Sequence, residues 1–581
     1  MPHGAGGPPR EFRLHRSLRY LPEALAVAVT LLNAAKPPVV DDTAYLLFAR
    51  HLATDPLHPY SFALFWNDAP QPAMEVLAPP VLPLWLAAGI ALFGENLFAL
   101  KLWLLPFLWL FTRGVWSLLG EFAPREQARG TVLLTFSPAI LPLVNFMIDI
   151  PAVACGLAGT ACLVRARRGG RAGWLVGAVL LGAAAAQAKY TMIVLPAVWC
   201  WYGVTHRFAV RAAVACVGAV ALFAAWEFFV ARQCGESHFL HHLARQQPGA
   251  GDADLGEKLG NYVGRKGALV LPLLAYLGGL AAGWGLYAGP AVGFPRWLST
   301  AVALAAAAGM AGVVLLPAAS QTLFSDANGT PVLTLPSVVF LGLGGATLLT
   351  TALAAGRLFE RRRPETWFLA GWLLIELAGF FVLTPFPAAR RVIMPTVVIG
   401  LVACACVSRA TASASGARPP WPAVAFSLAL GFGLFSLDTW DARVEPAAAD
   451  AAVDSILPTP GRLWTQGHWG WQYAMDRRGA RLVDPGVSQL RRGDWLILAV
   501  PPDADGFYRP YHGDALFTLD PDRTRFVRRR VWDDRLSGTT VPTLYGGRYP
   551  FTGRDHPRLA VEIHRVVADW VPQPPAPAAP P

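Results

Sequence analysis

Two adjacent carboxylates, Asp41 and Asp42, follow directly on the first long apolar run of the chain, Tyr20 to Ala35. Ionised carboxylates at the mouth of a membrane helix are costly unless a partner or a reaction uses them. Side chains of this type can accept a proton as a general base. We therefore expect the rest of the chain to hold this pair at the membrane surface and to bring basic residues to face it.

Further polar residues lie at the ends of later apolar runs. Asp149 is a lone carboxylate in a tight bend, and Lys189 precedes Tyr190 where another run ends. Arg390 and Arg391 lie between two late apolar runs. Ionisable groups at such depth usually have partners, so we expect a functional role for them. Two simpler readings remain open: Lys189 extends to the membrane interface, and Asp149 caps a helix.

Three histidines and seven cysteines raise the question of a metal site. His238, His241 and His242 have i, i+3 and i+4 spacing and would share one helix face. That face could bind a metal, but a polar helix at the membrane interface is the favoured reading. Six of the seven cysteines lie in apolar runs and there is no CxxC motif, so we expect neither a disulfide framework nor a cysteine-based metal site.

The composition indicates a membrane protein. Of the 581 residues, 54% are hydrophobic and only 15% are charged, against roughly a quarter in soluble domains. Apolar runs of about 17–24 residues alternate with short charged loops, which predicts a polytopic α-helical membrane protein and excludes a large soluble helical core. The net charge of +11 is concentrated in particular loops. This pattern is typical of membrane topology rather than of nucleic-acid binding, so we expect no nucleic-acid partner.

The distribution of basic residues predicts the orientation. Four arginines within residues 1–19 place the N-terminus in the cytoplasm, ahead of a first helix that is retained as an anchor. Residues 37–78 carry five acidic residues against Arg50 alone, which suits an external loop. The arginine-rich loops at 165–171 and 356–366 should be cytoplasmic.

Counting crossings predicts thirteen spans. The basic segment 113–129 should be cytoplasmic, so only one of the apolar stretches Pro79–Phe93 and Leu97–Trp116 can cross the membrane. The first is short and begins with two prolines, so we predict that it is a helix on the external surface. The spans are then expected at about 18–36, 97–116, 131–148, 150–164, 173–188, 191–204, 212–231, 268–284, 298–317, 332–355, 367–384, 392–408 and 421–438.

The order and spacing of the polar residues resemble membrane glycosyltransferases of the C superfamily (GT-C), close to the protein O-mannosyltransferase and lipid A aminoarabinose transferase group. The resemblance covers roughly residues 15–410 and rests on the order of its features rather than on one motif. Those features are Asp41-Asp42 with Tyr45, Pro79-Pro80 with Trp85 and Phe93-Gly94-Glu95, Ser137-Pro138, the Asp149 bend, Lys189-Tyr190, and Arg390-Arg391 before Met394-Pro395. Two departures are the second aspartate, where relatives often have glutamate, and Ala78, where they often have a basic residue.

The resemblance implies an inverting sugar transfer from a polyprenyl-phosphate donor to an acceptor hydroxyl on the external face. By this match Asp41 is the catalytic base, and Asp42 supports it or binds sugar or acceptor hydroxyls. The remaining expected substrate contacts are a cationic set that stabilises the leaving phosphate, Asp149 as an orienting or metal-binding group, and further contacts from an aromatic residue and two histidines. These residues are Lys189, Arg390, Arg391, Asp149, Tyr45, His238 and His241. The resemblance leaves a divalent metal ion open as a cofactor.

The part of the chain after residue 438 differs in composition. Short β-like runs at 462–465 and 494–500 alternate with Gly, Pro and Asp turns, and a helix is expected at 469–478. We predict a GT-C-like membrane domain over 1–438, a small extracytoplasmic α/β domain over 439–571, and a disordered Pro/Ala-rich tail over 572–581. Aromatic residues of the α/β domain could stack on sugars, although core packing is the favoured reading.

Two other functional classes compete with a transferase. A transporter or flippase also needs many spans and intramembrane charges, but it usually has internal repeats with matched broken helices, which are not seen in this sequence. An inactive envelope assembly protein that binds partners through its tail domain is the second alternative. The expected location is a bacterial-type inner membrane. The sequence leaves both the sugar and the acceptor open, with a lipid, a protein hydroxyl and a glycan as the alternative acceptors.

Overall fold

The computed structural model describes residues 16–66, 69–245, 263–327, 330–359, 363–413, 421–456, 459–500, 507–508, 517–532, 538–540, 545–553 and 557–574. Helices dominate up to residue 454, and a sheet-containing region follows. The helices are α1 Leu21–Asn33, α2 Asp42–Thr54, α3 Val81–Phe93, α4 Leu97–Trp103, α5 Leu105–Phe122, α6 Gln127–Thr135, α7 Asp149–Gly169, α8 Ala172–Ala188, α9 Leu195–Thr205, α10 Ala209–Cys234, α11 His238–Arg245, α12 Val270–Leu280, α13 Ala282–Ala288, α14 Arg296–Leu315, α15 Leu335–Phe359, α16 Pro364–Leu383, α17 Ile393–Ser413, α18 Trp421–Ala442, α19 Val444–Asp454 and α20 Trp469–Arg477.

The helical part has the length and apolarity of a multi-pass membrane protein, which confirms the predicted class. Within the described residues, nine helices are long and apolar enough to cross a bilayer. They are Leu97–Phe122, Asp149–Gly169, Ala209–Cys234, Val263–Leu280, Arg296–Leu315, Leu335–Phe359, Pro364–Leu383, Ala389–Thr411 and Trp421–Asp454. Apolar helices of 10–17 residues include Ala172–Ala188 and Tyr190–Thr205. The count of thirteen crossings stays a prediction.

The helix predicted to lie on the membrane surface is present and short. α3 has 13 residues, too few to cross about 30 Å of hydrocarbon. It ends at Gly94, whose φ of +63° suits a residue without a Cβ. Its Trp85 ring stacks on Trp103 of α4 at 4.8 Å, and each indole N–H donates to the other residue's carbonyl at 2.8 Å. The chain therefore folds back sharply between α3 and α4.

The span predicted at 131–148 is wrong as a continuous helix. α6 ends at Thr135, and a short 3-10 turn at Leu141–Leu143 is the only helical piece before α7. Pro138 and Pro142 cannot donate backbone hydrogen bonds, which breaks the helix. The stretch is buried, and two of its carbonyls accept from side chains of α1 and of the linker after it. These bonds are Asn33 Nδ2 to the Leu141 oxygen at 3.2 Å and Lys36 Nζ to the Pro142 oxygen at 2.6 Å. Irregular backbone is tolerated at membrane depth when protein surrounds it in this way.

The C-terminal region is an α/β unit built on a five-stranded sheet, as predicted. The strand order is β10-β13-β7-β5-β6, with β5 parallel to both β6 and β7 and the other pairs antiparallel. The strands and ribbons of the whole chain are β1 Ala63–Phe65, β2 Pro70–Pro72, β3 Thr322–Ser325, β4 Pro331–Thr334, β5 Leu463–Gln466, β6 Arg481–Leu482, β7 Trp495–Val500, β8 Phe507–Tyr508, β9 Phe517–Thr518, β10 Thr524–Trp532, β11 Gly538–Thr539, β12 Thr552–Gly553 and β13 Leu559–Val566. The strands expected at 462–465 and 494–500 and the helix expected at 469–478 are thus confirmed within one residue. Most of the predicted tail, 575–581, lies outside the described residues.

One buried ionic contact joins the membrane helices to the C-terminal region, and a second lies beside it within the membrane part. Lys36 pairs with Asp438 of α18, and both side chains are fully buried. Thr540 donates to Asp438 Oδ1 at 2.7 Å, and Arg558 pairs with Asp441 in the next turn of α18. Buried charges of this kind need such partners, since each alone would be costly. The two regions therefore meet through a specific polar seam as well as through apolar packing.

Residues 545–553, here called the insertion segment, extend from the C-terminal region into the membrane part. The hydroxyl groups of Tyr549 and Ser337 are 2.7 Å apart, and the rings of Phe551 and Phe340 meet edge-on at 5.0 Å. Tyr545 at its start is buried within the core of the membrane part. The C-terminal region thus contributes side chains to the interior of the membrane helices.

Candidate functional site

A cavity of about 220 Å³ opens where the start of α2, the end of α8 and the turn before α17 meet. Its walls contain predicted site residues from three separate parts of the sequence together with the apolar residues Trp66, Leu383 and Phe386. The predicted residues are Asp41, Tyr45, Lys189, Arg390 and Arg391. A smaller pocket of about 50 Å³ adjoins it and is lined by Asp149 and by the three cationic residues.

Arg390 bridges the two carboxylates of the site. Its Nη2 lies 2.7 Å from Asp41 Oδ2, and its Nη1 lies 3.8 Å from Asp149 Oδ2. Lys189 Nζ contacts the other oxygen of Asp149 at 2.5 Å. Asp149 is 1% exposed, so it depends on these cations to remain charged. The structure therefore brings Asp41 and Asp149 together with Arg390, as the sequence analysis expects, while the roles of these residues stay predictions.

Local backbone features aim these side chains. Asp41 precedes α2 and follows Val40, whose φ of +46° is rare for a β-branched residue and marks local strain. Asp149 is the first residue of α7, where the helix dipole favours a negative charge. α8 ends at Lys189, which has an extended backbone. Each charged group thus sits where a helix starts or stops, which places its head group in the cavity layer.

Arg391 has no carboxylate partner among the described residues. Its guanidinium instead lies 4.2 Å from the centre of the Phe386 ring, and its Nε is buried without a hydrogen-bond partner. Around the cavity there are thus three cations against Asp41 and Asp149. A half-buried arginine without a carboxylate partner among the described residues, beside a paired arginine, is suited to receive an anion such as a phosphate.

Asp42 does not reach the cavity, and its predicted catalytic role is corrected. Its side chain is fully buried, and its Oδ2 accepts from the Val39 N–H at 3.1 Å. Burial raises the pKa of Asp42 to about 7, while nearby Lys101 and Lys36 oppose that rise. Successive residues at a helix start point about 100° apart, and of this pair only Asp41 lines the cavity.

The two predicted histidine contacts are also corrected, since neither histidine lines the cavity. His238 is buried behind the cavity wall, where its Nε2 donates to the Val76 carbonyl at 3.1 Å and its Nδ1 accepts from the Tyr190 hydroxyl at 2.6 Å. Burial lowers the pKa of His238 to about 3, so the ring stays neutral. His241 instead contacts Glu236 at 2.7 Å. His238 therefore supports Tyr190 in the wall and does not touch a substrate in the cavity.

The arrangement of possible metal-ligating side chains can be stated for the described residues. No group of three or more His, Cys, Asp or Glu side chains within them is arranged to hold a metal ion. The carboxylates Asp41 and Asp149 are instead paired with cations. The cavity as described is thus arranged around arginine and lysine rather than around a cation site.

Several site residues were missed by sequence reasoning. Tyr545 of the insertion segment has its ring centre 5.8 Å from the Arg390 guanidinium carbon, and no pattern in the sequence points to it. Lys101, which donates to Asn145 Oδ1 at 2.8 Å, was visible as a lysine inside an apolar span. Glu376 of α16, which lines the smaller pocket and accepts from Trp372 Nε1 at 3.0 Å, was visible in the same way.

Comparison with known proteins gives matches at the level of structure. No family model matches the chain, and no curated protein matches it. The archaeal oligosaccharyltransferase AglB from Archaeoglobus fulgidus, solved with an inhibitory peptide and a dolichol-phosphate, is 13% identical, with a TM-score of 0.44 over 84% of this chain and 70% of its own. The apo form of the Archaeoglobus fulgidus oligosaccharyltransferase is 13% identical, with a TM-score of 0.45 over 80% of this chain and 64% of its own. ArnT from Cupriavidus metallidurans, solved with undecaprenyl phosphate, is 16% identical, with a TM-score of 0.38 over 84% of this chain and 94% of its own.

Proposed function

We propose that this chain is an integral-membrane glycosyltransferase that moves a sugar from a polyprenyl-phosphate donor to an acceptor hydroxyl. The observation that carries the proposal is the pairing pattern of the two arginines. Arg390 is held by Asp41 and Asp149, whereas Arg391 faces the same cavity with no carboxylate partner among the described residues. The proposed location of the cavity is the extracytoplasmic face, because the acidic segment 37–78 suits an external loop.

Arg391, the cation without a carboxylate partner among the described residues, is available to bind the phosphate of the lipid donor. A phosphodiester carries one negative charge, and a second develops on the phosphate as the bond to the sugar breaks. Arg391 receives the phosphate, and Arg390 and Lys189 lie close enough around the same cavity to stabilise the developing charge. The apolar residues Leu383 and Phe386 at the rim give the polyprenyl chain a hydrophobic exit towards the bilayer.

Asp41 is the proposed base. Its Oδ2 is held by Arg390, its Oδ1 has no hydrogen-bond partner among the described residues, and its side chain remains 25% exposed. The acceptor hydroxyl gives its proton to Asp41 while its oxygen attacks the anomeric carbon. The bond between that carbon and the phosphate oxygen breaks, and its electron pair leaves with the lipid phosphate. A single displacement of this kind inverts the anomeric centre.

Asp149 and Lys189 orient the sugar rather than react. Asp149 is almost completely buried, with one oxygen 2.5 Å from Lys189 Nζ and the other 3.8 Å from Arg390 Nη1, so it is a poor proton acceptor. Both residues line the small adjoining pocket, and Lys189 also lines the cavity, where a sugar hydroxyl could replace or extend their hydrogen bond. Precise orientation of a reacting carbon contributes strongly to rate.

The test uses purified protein, a labelled polyprenyl-phosphate sugar and a panel of lipid, peptide and glycan acceptors. Asp41→Asn is expected to lower transfer by about 10²- to 10⁴-fold, the usual contribution of a positioned base, while retaining lipid-phosphate binding. Asp42→Asn is the matched control, because its carboxylate is buried away from the cavity. Transfer by Asp41→Asn at the wild-type rate would exclude Asp41 as the base. Movement of the intact donor across liposomes without bond cleavage would instead identify a flippase.

A further inference from the structure

The insertion segment is held at several points inside the membrane part. The Tyr276 hydroxyl of α12 donates to the Gly547 carbonyl, and the Tyr549 and Ser337 hydroxyls lie 2.7 Å apart. A Cβ at Gly279 would lie 2.2 Å from the ring of Pro550, so the segment packs closely against the helix backbone. The position of its first residue is therefore set by contacts with the membrane helices.

That first residue, Tyr545, is fixed from the side away from the cavity. It is 4% exposed, and its hydroxyl oxygen accepts from Asn145 Nδ2 at 3.0 Å. Asn145 is held in turn, because its Oδ1 accepts from Lys101 Nζ at 2.8 Å. A chain of two hydrogen bonds thus locks the orientation of the tyrosine ring. The face of that ring lies towards the Arg390 guanidinium, at 5.8 Å from its central carbon.

We propose that Tyr545 is a positioning residue whose ring holds the Arg390 guanidinium in its bridging pose between Asp41 and Asp149. This inference rests on the proposed function, since it gives the C-terminal region a part in binding the lipid phosphate. The carboxylates of Asp41 and Asp149 fix the nitrogen atoms of Arg390, but they leave the plane of the guanidinium to be set by its surroundings. The face of an aromatic ring attracts a cation and sets the distance at which it rests. The C-terminal region thereby contributes an aromatic ring to a site whose charged residues come from the membrane part.

The experiment measures binding of undecaprenyl phosphate to the purified full-length protein in detergent. Tyr545→Met removes the ring and keeps an apolar side chain, and we expect it to weaken binding about tenfold, as the loss of a desolvated cation–π contact would. Tyr545→Phe loses the bond to Asn145 but keeps the ring, which the packing of the insertion segment still holds, and should bind the lipid within about twofold of wild type. The matched control is Tyr549→Met, which makes the same change in the same segment at a tyrosine that contacts Ser337 rather than Arg390.

A second pair of variants separates the attraction between the ring and the cation from any effect of the substitution on folding. Pentafluorophenylalanine at position 545 has nearly the shape of phenylalanine, but its ring face no longer attracts a cation, so it should bind undecaprenyl phosphate several-fold more weakly than Tyr545→Phe. Equal affinities of these two proteins would overturn the inference even where Tyr545→Met does not fold. Equal weakening by Tyr549→Met and Tyr545→Met would also overturn it, by showing a merely structural role. Failure of the wild-type protein to bind the lipid would overturn the proposed function itself, together with this inference.

Discussion

Replacing Arg391 by methionine should separate binding from stability, because the two cavity arginines are paired differently. Arg390 contacts Asp41 at 2.7 Å and Asp149 at 3.8 Å. Arg391 rests on the Phe386 ring at 4.2 Å and has no carboxylate partner among the described residues. Without bound lipid, Arg391 is therefore a half-buried cation without a carboxylate partner and contributes little to folding, whereas Arg390 contacts two acids.

The magnitudes follow from this difference. Methionine keeps the apolar stem of Arg391 and removes an unpaired charge, so Arg391→Met should leave the free energy of unfolding unchanged or raise it by about 1 kcal/mol. Arg390→Met leaves Asp41 without its cation and should lower that free energy by roughly 3–5 kcal/mol. Hydrogen bonds to a charged group contribute roughly 1.5–3 kcal/mol, so Arg391→Met should weaken lipid-phosphate binding roughly 10- to 150-fold.

Thermal unfolding in detergent, with and without undecaprenyl phosphate, measures both effects in one assay. A ligand that binds only the folded state raises the melting temperature in proportion to the logarithm of its concentration over Kd. Arg391→Met should melt at or above the wild-type temperature without lipid and should lose the lipid-induced rise. The reasoning is refuted when Arg391→Met melts as low as Arg390→Met, or when it keeps the full lipid-induced rise.

Three further predictions concern groups around the site. Asp42→Asn should change kcat/KM by less than about tenfold, because this carboxyl is fully buried and does not line the cavity; a loss as large as that of Asp41→Asn contradicts this reasoning. Lys36→Met leaves the buried Asp438 charge unpaired and should lower the free energy of unfolding by roughly 3–5 kcal/mol, most of which the added Asp438→Leu change should restore in denaturation experiments; a double variant as unstable as the single one argues against the pair. His238 stays neutral in the folded state because burial lowers its pKa to about 3, whereas in the unfolded chain it takes up a proton near pH 6.5. Acidification from pH 6.5 to 5 should therefore lower the free energy of unfolding by roughly 1.5 kcal/mol. His238→Gln should flatten this part of the stability curve, and an unchanged slope would remove His238 as its source.

The convergence of the charged residues was predictable from the sequence. Asp41, Asp149, Lys189 and Arg390 each lie where an apolar run ends, and helix ends on one side of a bilayer share a thin layer. Ionisable groups in that layer pair with one another because lipid provides no polar partner for them. The sheet strands after residue 438 were visible for a different reason, since short apolar runs between turn residues have few other ways to fold.

Other features depend on geometry that a linear pattern does not carry. Which of Asp41 and Asp42 faces the cavity is set by a rotation at the start of α2, where Val40 adopts a positive φ. The hydropathy of the run 131–148 predicts a membrane span, but its prolines break the helix. Side chains around the break donate hydrogen bonds to its free carbonyls. Tyr545 reaches Arg390 only because the insertion segment packs between membrane helices, which is a tertiary contact without a local signal.

The unwound stretch between Thr135 and Asp149 constrains how this chain can be made. Its backbone amides and carbonyls have no partners in lipid, so it cannot rest in a bilayer by itself. Lys36, which bonds the Pro142 carbonyl, is held in turn by Asp438 of α18, one of the last helices to leave the ribosome. The contacts that hold this stretch can therefore form completely only after α18 has been made. A chain that ends before α18 would leave Lys36 without its carboxylate partner and would expose these polar groups to membrane proteases.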